Sequence, residues 1–68
     1  MENRLRELRK DRNWTQLMLA DEVGVSRQTI HSIENGRYDP SLPLAFKIAR
    51  AFDLAIEDVF TPDDETRD

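Results

Sequence analysis

Apolar residues recur at helical spacing in five short runs along this chain. Leu5 and Leu8 mark the first, from about Asn3 to Arg12, and Asn13 breaks it. The second starts after Thr15, a good N-cap, and carries Leu19, Ala20 and Val23 up to Gly24, which can take the positive φ at which helices end. Trp14 stands at staple spacing from Leu19 and reads as a core anchor, with base stacking as the other role open to it. Ser26 caps a third run whose apolar positions are Ile30 and Ile33. Val25, just before that cap, is spaced from Ile30 as a hydrophobic staple and so aims the helix. Gly36 to Pro40 reads as a loop. Ser41 caps a fourth helix that tolerates Pro43 in its first turn and buries Leu44, Ala45, Ile48, Ala49 and Phe52. A brief fifth helix runs from about Ile56 to Phe60, and no strand pattern, repeat or linker precedes Thr61. The pattern predicts an all-α, compact five-helix domain over residues 1–61. The charged tail at 62–68, which lacks apolar residues, is expected to be disordered.

The third helix carries the candidate chemistry. About 100° of rotation per residue puts Ile30 and Ile33 on one side, and Gln28, His31, Ser32 and Asn35 on the other. That polar side is nearly free of acid, and Arg27 adds a cation in the first turn. Gln, Arg, Asn and Ser are the side chains that pair with base edges and phosphate oxygens. Two readings of the face stand: an ordinary solvated surface, or a surface that enters a DNA groove. The turn at Gly24, which joins two short helices, favours the second.

Charge changes this picture less than its total suggests. The 68 residues carry a formal net charge of −4, which alone opposes contact with phosphate. Residues 1–37, however, hold seven Lys or Arg against six Asp or Glu, whereas residues 38–68 hold three against eight. Acid is kept to the far end, and the basic stretch from Arg4 to Arg12 either flanks a nucleic-acid backbone or is simply solvated. Without cysteine and with one histidine, no thiolate or histidine metal cluster can form, and no cofactor is implied. There is no glycine-rich phosphate loop, and His31 has no acid partner on its own helical face, so an enzyme is not expected. No run approaches the roughly 20 apolar residues of a membrane span, and MENRLRELRK lacks a signal-peptide core. A single cytoplasmic domain is the expectation.

The ordered series TQ at Thr15 and Gln16, LA at Leu19 and Ala20, VGVSRQTI from Val23, IENGR from Ile33, PSL from Pro40, KIARAF and IEDVF resembles the phage-repressor-like helix-turn-helix family of Cro, CI and Xre type. The resemblance covers about residues 3 to 60 and implies a lambda-repressor-like fold with the helix-turn-helix at helices 2 and 3. It also implies a sequence-specific transcriptional regulator, a repressor, whose homodimer reads an inverted-repeat operator of double-stranded DNA through the helix opening at Ser26. By position, Arg27, Gln28, His31 and Ser32 become the base-reading set, and Gln16, Asn35 and Arg37 hold the backbone. Physical reasons accompany these roles. Gln16 follows a cap at which free N–H groups point outward. Asn35 either ends the helix as a plain C-cap or meets phosphate, and Arg37 is either a free surface cation or a phosphate contact. Glu34 turns toward Ile30 and Ile33, and the family pattern pairs it with Arg9 in a structural ion pair.

Departures from the family pattern raise further expectations. Leu17 and Met18 replace polar or acidic residues and are either ordinary apolar scatter or a subunit or partner contact, and Met18 leaves the capping box incomplete. Ala55 replaces a hydroxyl cap, so the last helix is expected to fray. Val59 and Phe60 end an apolar strip that either pairs two subunits or closes the core. A protein-binding module, such as an antitoxin or regulatory partner, is the competing function.

Overall fold

Three of the five helices begin where a hydroxyl takes the place of a missing backbone acceptor. Thr15, Ser26 and Ser41 are all extended, and their side chains accept the N–H of Met18, Thr29 and Leu44 respectively. The computed structural model describes residues 1–62, so the tail expected over 62–68 lies, beyond Pro62, outside the described residues. In chain order the elements are β1 (Glu2–Asn3), α1 (Leu5–Asp11), α2 (Gln16–Val23), α3 (Arg27–Glu34), α4 (Leu42–Ala51), α5 (Ile56–Val59) and β2 (Phe60–Thr61). The five-helix, mostly helical fold agrees with the hydrophobic pattern.

One core serves all five helices. Leu5, Leu19, Ile30, Ile33, Ile48 and Val59 are fully buried, and Ala20, Val23, Ala45, Ala49, Phe52 and Phe60 complete the cluster. Trp14 packs its half-buried ring on Phe52 at 5.3 Å between centroids, with the Arg12 guanidinium over both rings. The tryptophan therefore closes the core. Gly24 takes φ 80°, which lets the N–H groups of Gly24 and Val25 both return to Ala20 O before the chain turns into α3.

Four expectations need correction. A short antiparallel pair exists: Glu2 faces Thr61 and Asn3 faces Phe60. Two residues are too few to show alternation, so the pair leaves no pattern in the sequence. Asn3 consequently lies outside α1; its Oδ1 accepts the Leu5 N–H, and its Nδ2 donates to Ile33 O. The cap of α2 is also complete, because Met18 Sδ accepts the Thr15 N–H at 3.5 Å, a weak acceptor standing where a carboxylate is usual. Val59 and Phe60 do not form an exposed strip. They are 1% and 5% exposed, since the four-residue α5 turns both side chains inward before β2 begins.

Candidate nucleic-acid interface

The site is assembled around one carboxylate. Arg9 reaches Glu34 with two hydrogen bonds, Nε to Oε2 at 2.8 Å and Nη2 to Oε1 at 3.2 Å, and its third donor, Nη1, goes to Trp14 O. Gln16 Nε2 donates to Glu34 Oε1 at 3.1 Å, and Arg6 Nε stands 3.6 Å from the same oxygen. The Glu34 side chain is wholly out of water. Burial pushes its carboxyl pKa up, but hydrogen bonds from Arg9 and Gln16, with the charges of Arg9 and Arg6, outweigh this and hold it below the ordinary glutamate value. Among the described residues no buried side-chain nitrogen or oxygen lacks a hydrogen-bond partner.

From that anchor a polar chain runs across the surface between α2 and α3. Gln16 Oε1 accepts from Arg27 Nη1 at 3.2 Å. His31 lies between two amides, with Gln16 Nε2 at 3.4 Å from Nδ1 and Asn35 Nδ2 at 3.1 Å from Nε2; a neutral imidazole accepts at one ring nitrogen only, so one of these contacts is a hydrogen bond and the other a close approach. Asn35 Oδ1 in turn accepts from Arg6 Nη2 at 3.0 Å. The two amides are oriented from outside: turning either over would set like groups together, oxygen against Glu34 or NH2 against Arg6. In the free protein His31 thus spaces Gln16 from Asn35.

The structure brings Gln16, Arg27, His31 and Asn35 into one polar row, joined through Glu34 to Arg9. Gln28 and Ser32 lie instead along an adjoining shallow depression that also involves Thr29 and Tyr38. Arg37 is exposed in the loop beyond α3. There Gly36, not Asn35, takes the left-handed backbone at φ 73°, and the Arg37 N–H closes onto Ser32 O at 2.9 Å. Asn35 keeps a negative φ of −90°, which leaves its side chain to Arg6 and His31.

Sequence reasoning missed Arg6 and Tyr38. Arg6 was open to it, since it lies one helical turn before Arg9 on the same face and must also approach Glu34. Tyr38 lies within the loop between α3 and α4, where no periodicity marks which side a residue faces.

A short helix, a left-handed glycine turn, a capped second helix with an exposed polar face, and caps at both ends define a helix-turn-helix DNA-binding module. The helix-turn-helix family model matches residues 5–59, and the chain belongs to the Xre-type branch of this family, which comprises DNA-binding transcriptional regulators and not enzymes. An uncharacterized HTH-type transcriptional regulator of Methanocaldococcus jannaschii is 55% identical over 65 residues, covering 96% of this chain and 98% of its own. The immunity repressor of Bacillus phage phi105 is 36% identical over 53 residues, covering 78% of this chain and 37% of its own. Among solved structures, the restriction-modification controller protein C.AhdI of Aeromonas hydrophila superposes with a TM-score of 0.78 at 35% identity, covering 84% of this chain and 86% of that one. No helix among the described residues is long and apolar enough to cross a membrane.

Proposed function

We propose that this protein is a repressor that binds an inverted-repeat operator as a homodimer, with α3 in the major groove. The observation that carries this is Gln16, which accepts from Arg27 and donates to Glu34, with His31 between it and Asn35. These bonds tie the N-terminus of α2 to both ends of α3, so that in this reading the two backbone-binding ends stand at a fixed distance on either side of the reading face. Arg27, Gln28 and Ser32 read bases; Gln16, Asn35 and Arg37 hold phosphates; and His31 adds to the reading set once the duplex draws it from its two amides. The similarity to a phage immunity repressor supports repression, which requires only occupancy of a promoter. The work is done in the cytoplasm, where bacterial and archaeal chromosomes lie.

Pairing uses the α5 end. With Val59 and most of Phe60 in the core, the apolar surface there comes from Leu42, 64% exposed, and Ile56, which border a depression of about 330 Å³ with Phe60 at its side. A second copy covering it doubles the bases contacted.

Selection of binding sites from a random duplex library at moderate salt tests this reading. The expected product is an inverted repeat, and on it Gln28→Ala costs about 1 to 3 kcal/mol and relaxes one position, while Arg37→Ala weakens all sequences alike and lowers the salt slope. Failure to enrich any sequence at any salt rejects the reading in favour of a protein-binding module with Leu17 and Met18 at its contact.

A further inference from the structure

The loop after α3 brings an aromatic ring back beside the reading face. Gly36 reverses the chain and the Arg37 N–H is tied to Ser32 O, so Tyr38 returns along the flank of α3 instead of continuing away from it. Its ring stays outside the core, 48% exposed, and forms one wall of a shallow depression completed by Gln28, Thr29 and Ser32. At about 250 Å³ and open to solvent, the depression is smaller than pockets that enclose small ligands.

The chemistry of its walls is uneven. Thr29 has its hydroxyl held by Ser26 Oγ at 3.0 Å, within the cap of α3, and its methyl is the apolar group it can offer. Tyr38 offers an aromatic ring. Gln28 and Ser32 set polar groups at the margin. In the major groove thymine alone of the four bases presents a methyl group, beside its O4 carbonyl; cytosine has only a hydrogen at that carbon.

Resting on the DNA-binding reading, we propose that Tyr38 and Thr29 form a slot for the 5-methyl group of a thymine next to the base read by Gln28. Tyr38 is then a specificity-determining residue supplied from outside the recognition helix.

The test replaces each thymine of the selected site in turn by 2′-deoxyuridine, which removes only the methyl group, and measures affinity for the wild type, Tyr38→Ala and Tyr38→Phe. At one thymine per half-site, deoxyuridine weakens the wild type about fourfold, the worth of one methyl removed from water. Tyr38→Ala binds the thymine site more weakly and no longer distinguishes thymine from deoxyuridine, whereas Tyr38→Phe keeps the distinction. Because the ring lies outside the core, all three proteins should melt together. If deoxyuridine has no effect at any position while Tyr38→Phe binds as poorly as Tyr38→Ala, the hydroxyl is holding a phosphate and the slot is overturned, with operator binding intact. If the library yields no site, both readings fall.

Discussion

The two ends of this domain are held by opposite kinds of force. At the junction of α1, α2 and α3, Arg9, Gln16 and Arg6 converge on the buried carboxylate of Glu34, and each contact has a donor, an acceptor and a direction. At the α4 and α5 end, Ile48, Val59 and Phe60 are buried by packing, and Leu42 and Ile56 border an apolar depression with Glu57 on its rim. Directional bonds fix the positions of Gln16, His31 and Asn35, as a reading surface requires. Packing has no such fixed direction, which suits the pairing surface proposed for this end. The contrast also separates the ends by pH, because only the first has a titrating group at its centre.

The largest expected effect comes from breaking that centre. Glu34→Gln leaves the Arg9 guanidinium, only 11% exposed, without its counter-charge, and should cost about 3 kcal/mol or more, a large share of the stability of a domain this small. The sign with pH follows from the lowered carboxyl pKa of Glu34. A group with a depressed native pKa contributes fully above its unfolded value, and the contribution disappears as pH falls through the native value. Urea midpoints of the wild type should therefore hold near neutrality and drop below the ordinary glutamate range, and in Glu34→Gln this part of the drop should be absent. Phe60→Ala, at the other end, should cost about 3 kcal/mol through lost burial and a cavity, with the wild-type pH slope retained. Identical pH slopes in all three proteins would erase the contrast.

Legibility in the sequence divides along similar lines. Features that depend on neighbours in the chain could be read directly: the caps at Thr15, Ser26 and Ser41, the turn at Gly24, and the inward angle of Glu34. Features that depend on distant segments meeting were hidden. Asn3 hydrogen-bonds to Ile33 O thirty residues away, and β1 meets β2 across nearly the whole chain. The surroundings of His31 were hidden too, because its neighbours Gln16 and Asn35 are set in place by bonds to Glu34 and to Arg6 of α1. Val59 and Phe60 were misjudged for the opposite reason: a helix of four residues is too short for periodicity to decide which way its end faces.

An intermediate effect is expected at the apolar end. Leu42→Glu places a carboxylate in the first turn of α4, where the helix dipole tolerates it, so monomer stability should change by no more than about 0.5 kcal/mol. If a second copy covers Leu42, sedimentation equilibrium should show dimer formation weakened about tenfold or more, with operator affinity falling alongside. An unchanged dimer would place the pairing surface elsewhere and remove the functional half of the contrast between the ends.

The smallest effect sharpens the other half. Met18→Glu replaces a thioether acceptor for the Thr15 N–H by a carboxylate at the positive end of α2, which should add about 0.5 kcal/mol. Glu22, one turn on, repels the new charge and takes back about 0.2 to 0.5 kcal/mol, so the melting temperature should rise slightly or stay level. Binding should move the other way. The new carboxylate lies beside the N–H groups that, with Gln16, are proposed to hold a phosphate, so operator affinity should fall at low salt and recover relative to the wild type as salt screens the repulsion. Met18→Leu removes the acceptor without adding charge and should lose a little stability with no change in affinity. Equal affinity of Met18→Glu and the wild type at every salt concentration would mean that no phosphate sits at the start of α2, and that the polar row from Gln16 to Asn35 orders the protein without framing the duplex.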